Sequence, residues 1–477
     1  MKIGAGRHVP PFRVMEVITR ANAQAASLPP GAPRILRLEV GQPGTGLPAG
    51  AKAAVAAALQ GDDALGYTEA LGRPELRRRL AAHIRDWYGL AVPTERIAVT
   101  FGASGAFPLA YLAAFDPGDE IALAAPYYPP YVNIAVALGL KPVVLPCGIE
   151  TGFQPTVAML EALPRRPELR RRLAAHIRDW YGVAVPTERI AVTFGASGAF
   201  PLAYLAAFDP GDEIALAAPY YPPYVNIAVA LGLKPVVLPC GIETGFQPTV
   251  AMLEALPRRP EGLIIASPAN PTGSMLSPES LAELARYCHA SGIRLISDEI
   301  YHGLTYGKPQ ASAAQFSDSA IVINSFSKYF SMTGWRVGWM VLPEELVPVV
   351  ERLAANFFVS PSCISQVAAE AALDSREELE ANRKNYETAR KVMTEGLRAA
   401  GFNEFSPPDG AFYIYVDLHG RSEDSAAFCT RLLEDHNIAA TPGHDFDAAR
   451  GGRYLRMSYC ARLADIEEAM QRLCRMK

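Results

Sequence analysis

The sequence predicts an α/β protein: a large three-layer domain with a mostly parallel sheet, joined to a smaller α+β domain. From Gly262 onward short apolar strands alternate with amphipathic helices, an order typical of a parallel sheet covered by helices. Past residue 340 long helices and a strand at Ala411–Asp417 indicate a second, smaller unit. Half of the 477 residues are hydrophobic, enough for a large core. We expect an N-terminal segment 1–48 packing with the small domain, a large domain 49–340 and a small domain 341–477.

Charge and cysteine usage exclude several function classes. The formal net charge of −4 gives no electrostatic reason to expect nucleic acid or an anionic membrane as a partner. The first residues lack the apolar region of a signal peptide, and the uncharged stretches near residues 97–140 are interrupted by glycine and proline. The seven cysteines show no CxxC pair and no metal-ligand spacing. We therefore expect free thiols in a reducing cytoplasm and no metal.

One segment occurs twice. Residues 73–165 recur as residues 166–258 with a single difference over 93 positions, Leu90 becoming Val183. A solenoid requires three or more shorter repeats, and two tandem domains are disfavoured because the segment ends in the middle of the predicted fold. An in-frame duplication, or an assembly error, inside an otherwise ordinary chain explains the repeat better. One copy is then surplus, and the sequence does not choose which copy enters the fold.

Each copy carries the same predicted elements. In the first copy, proline in the first turn and a glycine after the end predict a helix over Pro74–Tyr88. A strand over Ile97–Phe101, a helix ending at Phe115 and a strand over Asp119–Ala124 follow. The apolar face predicted for the first helix consists of Leu76, Leu80, Ile84 and Tyr88.

Further elements flank the two copies. Before them we predict a helix over residues 11–27 and a strand over Ile35–Glu39. After them the helical pattern covers Pro278–Ser291, Glu344–Asn356 and residues 365–400, and a terminal helix begins at Asp465.

Three of the predicted strands run directly into polar residues. Leu263–Ala266 precedes Asn270, Ile293–Ser297 precedes Asp298, and Ile321–Asn324 precedes Lys328. In a parallel sheet the ligand crevice lies outside the carboxyl ends of the strands, so these side chains can converge. Taken singly, Asn270-Pro-Thr-Gly is a turn, Asp298 is a helix cap and Lys328 is a surface lysine. Their common position after successive strands favours a site, which Tyr301 and Ser325 would share.

At these residues the chain resembles the class I/II aminotransferases of the fold type I pyridoxal-phosphate superfamily. The strongest match is Ser325-Phe-Ser-Lys328 with Arg336 eight residues after the lysine. Asn270-Pro-Thr-Gly, Asp298-Glu-Ile-Tyr301 and Tyr-Leu-Arg456-Met-Ser also fall where that family has them. The resemblance covers essentially the whole chain when the repeated segment is counted once.

The resemblance implies a role for each of these residues. Lys328 would hold pyridoxal 5′-phosphate as a Schiff base and, once freed, move a proton as base and acid. Asp298 would keep the pyridine nitrogen protonated. Tyr301 and Asn270 would hydrogen-bond the phenolic oxygen of the ring.

The cofactor's phosphate requires fixed donors, and the repeat offers two candidate sets. The turn that opens a helix is Gly102-Ala103-Ser104 in the first copy and Gly195-Ala196-Ser197 in the second. Ser325 and Arg336 would complete the phosphate site. Tyr128 or its duplicate Tyr221 would stack on the ring. The resemblance also implies that Tyr67 reaches the phosphate of a neighbouring subunit, hence a homodimer with shared sites.

The substrate's carboxylate would bind Arg456, whose guanidinium fork suits that group, together with Asn270 and the backbone of Gly41. We therefore expect amino-group transfer between an α-amino acid and a 2-oxo acid by a ping-pong mechanism. Two alternatives remain open: a β-lyase on the same cofactor, and a chain made inactive by the duplication. The sequence does not identify the amino acid, because no basic residue clearly reads a second carboxylate.

Overall fold

The computed structural model describes residues 13–29, 31, 47–60, 66, 68–115, 120–125, 128–146, 167–358 and 361–476. Within these ranges a seven-stranded sheet forms the centre of the molecule. Its strands are β3 (Ile190–Thr193), β4 (Glu213–Ala218), β5 (Lys234–Pro239), β6 (Gly262–Ala266), β7 (Arg294–Asp298), β8 (Ile321–Ser325) and β9 (Gly338–Val341).

The strand order in this sheet is β3-β9-β8-β7-β6-β4-β5. Every neighbouring pair from β8 to β5 is parallel, and only β9 runs antiparallel to its two neighbours. The predicted α/β class with a mostly parallel sheet is therefore confirmed. Parallel strands with buried residues on both faces, such as Leu263 and Ile264 of β6, require cover on both sides.

The second copy of the repeated segment supplies β3, β4 and β5 to this sheet. In the first copy β1 (Glu120–Ala125) and β2 (Lys141–Pro146) pair with each other in a separate two-stranded sheet. The strand predicted over Ile97–Phe101 is wrong: these residues form no strand, and the backbone N–H of Val99 donates to the carbonyl of Leu71 at 2.9 Å. The reason is that β9, the pairing partner for this sequence, is already occupied by β3.

The helix that opens each copy of the repeat also packs differently in the two copies. Helix α6 (Pro167–Tyr181) buries Leu169, Leu173 and Ile177 in the main core. Helix α3 (Pro74–Tyr88) has the identical sequence and the predicted bounds, yet it buries no residue. The predicted apolar face of α3 is therefore only partly covered, with Leu80 and Ile84 half-buried and Leu76 and Tyr88 exposed. An amphipathic pattern creates a helix that can pack, but a surface must be free to receive it.

The other helices follow the prediction with adjustments at their ends. The helix predicted over 11–27 covers Arg13–Ala26, and the strand predicted over Ile35–Glu39 lies outside the described residues. The helix predicted over 365–400 is two helices, separated near Ser375, a residue type that favours caps over helix interiors. The remaining helices of at least five residues are α1 (Arg13–Ala26), α2 (Ala49–Gln60), α4 (Gly102–Ala114), α5 (Pro130–Ala137), α7 (Gly195–Ala207), α8 (Pro223–Ala230), α9 (Val250–Glu254), α10 (Pro278–Ser291), α11 (Val347–Phe357), α12 (Cys363–Ala372), α13 (Arg376–Ala399), α14 (Ser425–His436) and α15 (Leu463–Cys474).

A second, antiparallel sheet follows the main one in sequence. Its strands are β10 (Tyr413–Asp417), β12 (Tyr454–Ser458) and the short β11 (Thr441–Pro442), with β12 in the middle. Helix α14 packs on β11 and β12 of this sheet, and helices α13 and α15 pack on each other. The division into segments 1–48, 49–340 and 341–477 stays a prediction. Across the described ranges, none of the helices combines the length and the apolarity needed to cross a lipid bilayer.

Candidate active site

The carboxyl ends of β6, β7 and β8 lie at one edge of the main sheet. Pairing in register aligns Ala266 with Asp298 and Asp298 with Ile323, so the residues that follow these strands face a common space. That space is a cavity of about 390 Å³. The predicted site residues that line it are Ala196, Ser197, Tyr221, Asn270, Asp298, Tyr301, Lys328, Arg336 and Arg456.

Asp298 is the buried carboxylate of the cavity, with 3% of its surface exposed. Its Oδ2 accepts a 2.5 Å hydrogen bond from the hydroxyl of Tyr224, and its Oδ1 accepts one from the backbone N–H of Ile300 at 3.1 Å. Burial raises the pKa of Asp298 to about 6, against the lowering effect of these bonds and of the nearby Lys328. A buried carboxylate in this state gains stability from any cationic N–H that enters the cavity.

Lys328 lies in the tight turn that follows β8. Its Nζ lies 5.7 Å from the ring centroid of Tyr301 and 5.5 Å from that of Phe412. The hydroxyl of Tyr301 donates to the hydroxyl of Tyr413 at 3.2 Å. Burial raises the pKa of Tyr301 well above its ordinary value, so this hydroxyl stays protonated and can act as a donor.

A site suited to an anion lies at the start of α7. The residue before this helix, Phe194, provides no side-chain cap for its first N–H groups, and Ala196 and Ser197 of the first turn line the cavity. The guanidinium of Arg336 lies beside them. Its Nη1 donates to the carbonyl of Thr333 at 3.0 Å.

Close packing between the helix start and Arg336 leaves no room for a side chain at Gly195. This glycine has a φ of +70°, and a Cβ added there would meet Nη2 of Arg336 at 2.8 Å. The positive charge and the helix N-terminus are therefore held against each other, which suits a dianionic group such as a phosphate ester.

The phosphate-site role predicted for Ser325 alone involves two residues, Ser325 and Ser327. Ser325 is buried, its hydroxyl donates to the carbonyl of Val337 at 3.1 Å, and its oxygen lies within hydrogen-bond distance, 2.9 Å, of the hydroxyl of Ser327. Ser327 lines the cavity and accepts from Nη1 of Arg336 at 3.3 Å. Ser325 does not line the cavity, so it orients Ser327 rather than facing a ligand.

Arg456 on β12 occupies another part of the cavity wall. Its Nη1 donates to Oδ1 of Asn270 at 2.9 Å, and its Nη2 donates to Oγ1 of Thr441 at 3.2 Å. The guanidinium also lies over two rings, 4.5 Å from the centroid of Tyr413 and 4.7 Å from that of Phe446. These contacts fix the plane of the fork that a carboxylate would meet.

The predicted residues of the first copy do not line this cavity. Ala103 and Ser104 belong to α4, where Ser104 is buried. Tyr128 is also partly buried in the first copy, and this burial raises the pKa of its hydroxyl. Their duplicates Ala196, Ser197 and Tyr221 are in the cavity wall, because the second copy is the one that entered the main sheet. Gly41 and Tyr67, also predicted, lie outside the described residues.

The sequence reasoning missed Tyr224, Ser327 and Tyr413, all of which line the cavity. Tyr224 lies three residues after Tyr221, and Ser327 directly precedes Lys328, so both stand next to residues that were predicted. Tyr413 gave no signal beyond its place in a predicted strand. Among the described residues no group of three His, Cys, Asp or Glu side chains could hold a metal ion.

Known proteins with similar sequences are aminotransferases. The family model described as aminotransferase class I and II matches residues 33–166 and again residues 163–473. A valine–pyruvate aminotransferase of Mycobacterium tuberculosis is 47% identical over 311 residues, 64% of this chain and 80% of the relative. An aspartate/prephenate aminotransferase of Thermus thermophilus is 34% identical over 319 residues, 65% of this chain and 81% of the relative.

Solved structures of aminotransferases are also similar to this chain. The crystal structure of an aminotransferase from Mycobacterium tuberculosis has a TM-score of 0.64 and 36% identity, covering 99% of this chain and 98% of the other. That of a putative aminotransferase from Silicibacter pomeroyi has a TM-score of 0.63 and 38% identity at the same coverage. The family match spans most of the chain, and its relatives are aminotransferases. This chain therefore belongs to the class I and II aminotransferase family and is an aminotransferase.

Proposed function

We propose that this aminotransferase binds pyridoxal 5′-phosphate through Lys328 and uses it to exchange the amino group of a neutral α-amino acid with a 2-oxo acid. The observation that carries the proposal is the set of charges in one cavity. An amine (Lys328), a buried carboxylate (Asp298) and two guanidinium groups (Arg336 and Arg456) line the same 390 Å³ space. Members of this family generally depend on that cofactor.

The cavity fits each part of the cofactor. Arg336, Ser327 and the start of α7 would hold the phosphate. The carboxylate of Asp298 would pair with the ring nitrogen, and Tyr221 would stack on the ring. Tyr301 and Asn270 would hydrogen-bond the phenolic oxygen.

When bound, the cofactor supplies an aldehyde for the amino group and a ring that withdraws electrons from the substrate's Cα. Lys328 supplies the amine that this aldehyde requires, and after displacement by the substrate its Nζ carries the proton to and from Cα. Asp298, ionised, favours a proton on the ring nitrogen. Arg456 anchors the substrate's carboxylate, which fixes the Cα–H bond in the orientation that the base can reach.

The charged residues of the cavity wall also favour a substrate whose side chain is neutral. The lining cations are Lys328, Arg336 and Arg456, and each already has a task. Within the described part of the chain the cavity wall therefore offers no further cation for a second carboxylate, and its other lining residues include Phe200 and Ile300. The Mycobacterium tuberculosis relative, 47% identical, is named for valine and pyruvate. A β-lyase finds no support among the relatives.

Borohydride reduction tests the cofactor assignment. Reduction after reconstitution with pyridoxal 5′-phosphate fixes the cofactor on the lysine that holds it, and peptide mass spectrometry should place the label on Lys328. Lys328→Ala should abolish the label and the activity. Lys308→Ala is the matched control, because Lys308 is exposed and pairs with Asp409 away from the cavity, and it should keep both. A label on another lysine of the folded wild-type protein would refute the assignment.

Comparison of two amino donors tests the substrate class. With pyruvate as acceptor, kcat/KM for valine should exceed that for aspartate at least about tenfold, since an unpaired carboxylate would be buried at a cost. A preference for aspartate would contradict the neutral-substrate proposal while leaving the cofactor assignment intact. The homodimer with shared sites through Tyr67, implied by the resemblance, stays a prediction that sedimentation analysis can test.

A further inference from the structure

A second cavity, of about 210 Å³, lies between the two copies of the repeated segment. It is formed largely by the ends of α4 and α7 and by the segments that follow α5 and α8. Six positions contribute from both copies at once. The pairs are Tyr111 and Tyr204, Leu112 and Leu205, Phe115 and Phe208, Ala137 and Ala230, Leu138 and Leu231, and Leu140 and Leu233.

An aromatic contact also joins equivalent residues of the two copies. The rings of Phe101 and Phe194, which occupy the same position of the repeat, lie 5.3 Å apart. In a two-fold symmetric interface each patch meets its own duplicate, and residues near the axis contact their equivalents. The copies therefore meet through matching surfaces, as two identical subunits would.

The first copy covers apolar surface in this arrangement. Ile134 and Ala135 of α5 are completely buried, and α4 and α5 both pack on α11. They belong to the same hydrophobic cluster as Tyr204 and Leu231 of the second copy. In contrast, α3 at the other end of the first copy buries nothing. Among the described residues of the first copy, α4 and α5 are therefore the elements that pack on the main core.

We infer that α4 and α5, in the first copy of the repeat, act as an intramolecular substitute for a partner subunit. The face formed by α7, α8 and α11 is self-complementary, and the partner that it fits is the same segment of a second copy of this chain. Here α4 and α5 occupy that face within one polypeptide. A homodimer of this chain could not use the covered face without first displacing α4 and α5.

Cross-linking of the full-length chain tests this arrangement. Leu112 and Val229 line the cavity from opposite copies and are 40% and 58% exposed, so cysteines there should be tolerated and reactive. In a background with the exposed Cys460 and Cys474 changed to serine, L112C/V229C should react with a short bismaleimide to give an internally linked monomer. The yield should stay constant over a hundredfold dilution, since an intramolecular reaction does not depend on concentration.

Two further variants complete the design. F115C/V229C probes the same cavity from a neighbouring position and should give the same product. L112C/L433C carries an equally exposed second cysteine on α14, outside the cavity lining, and should give no internal link. Covalent dimers in place of linked monomers, or internal linking no greater than in L112C/L433C, would overturn the inference.

Discussion

The hydroxyl of Tyr224 donates a 2.5 Å hydrogen bond to Oδ2 of Asp298, and both side chains are buried. This bond lowers the pKa of Asp298 against the larger effect of burial, which raises it. Tyr224 comes from the second copy of the repeat and Asp298 from the single-copy part of the chain. The pair therefore joins the duplicated segment to the proposed chemistry, and its twin in the first copy, Tyr131, offers a matched control for every experiment on it.

Tyr224→Phe should weaken cofactor binding most near and below pH 6, because loss of this hydrogen bond raises the pKa of Asp298 and leaves less of its carboxylate ionised to pair with the ring nitrogen. It should also move the pH dependence of binding. Affinity falls as Asp298 takes up a proton, near its pKa of about 6 in the cofactor-free chain, and loss of the bond raises that pKa. Absorbance titrations with pyridoxal 5′-phosphate between pH 5 and 8 should show the midpoint shifted to higher pH.

Tyr131→Phe removes the same hydroxyl from the first copy, outside the 390 Å³ cavity, and should leave both affinity and midpoint unchanged. Equal effects of the two substitutions would show that the copies are interchangeable in solution and would contradict the arrangement described above.

The strand-end residues were predictable, because the register of parallel strands determines where their carboxyl ends meet. Asn270, Asp298 and Lys328 could be predicted from their positions at or just after the carboxyl ends of β6, β7 and β8. The choice between Ser104 and Ser197, or between Tyr128 and Tyr221, was not predictable. Identical local sequences give identical helices, and only β6 and β9, present once each, decide which copy completes the sheet.

Ser327 and Tyr413 were not predicted, because contacts between distant parts of the chain bring them to the cavity. Ser327 faces the cavity because Ser325 is held by the carbonyl of Val337, a contact between residues twelve apart in a tight turn. Tyr413 and Arg456 meet because β10 and β12 pair out of sequence order. Long-range contacts of this kind leave no periodic signal in the sequence.

Gly195→Ala should reduce cofactor affinity strongly, by at least about tenfold. The new Cβ would meet Nη2 of Arg336 at 2.8 Å and force the guanidinium away from the helix start. The twin Gly102 has almost the same backbone conformation, with a φ of +66° against +70°, but nothing lies within 4 Å of its added Cβ. Gly102→Ala thus controls for backbone strain, which costs about 1 kcal/mol in both variants. Similar losses in both would refute the proposed phosphate site.

Ser197→Ala tests the donors at the helix start without a steric clash. Loss of one charge-assisted hydrogen bond should weaken cofactor binding about tenfold or more, with little change in stability. The matched substitution Ser104→Ala changes a residue that is buried in the first copy and should not alter binding. An affinity loss confined to Ser104→Ala would assign the cofactor to the other copy.

Arg456→Lys should raise KM for the amino acid more than it lowers kcat, with a loss of about tenfold to a hundredfold in kcat/KM. Lysine keeps the charge but cannot present two parallel N–H groups to a carboxylate, and it also loses the bond to Asn270. Arg453→Lys on the same segment is the control, because Arg453 pairs with Asp417 instead of lining the cavity. Steady-state kinetics that show an unchanged KM for Arg456→Lys would remove this residue from substrate binding.

The last prediction concerns Glu299, which lies directly after Asp298 and is buried beside His302. Burial raises the pKa of Glu299 from 4.5 to about 7. Between these two pH values the folded chain binds this proton more tightly than the unfolded chain. The contribution of Glu299 to the free energy of unfolding therefore decreases as the pH rises from 4.5 to 7.

Glu299→Gln removes this titration, so the free energy of unfolding of the variant should rise relative to the wild type across the same window. A shift from 4.5 to about 7 corresponds to about 3 kcal/mol at most. Urea unfolding of the cofactor-free proteins at pH 4.5 and pH 7.5 measures the difference. Glu283→Gln, on the exposed side of α10, is the matched control for the loss of a carboxylate. Parallel stability curves for Glu299→Gln and the wild type would mean that Glu299 is ionised in the folded chain throughout, held by the donors of Ser297 and Ala313.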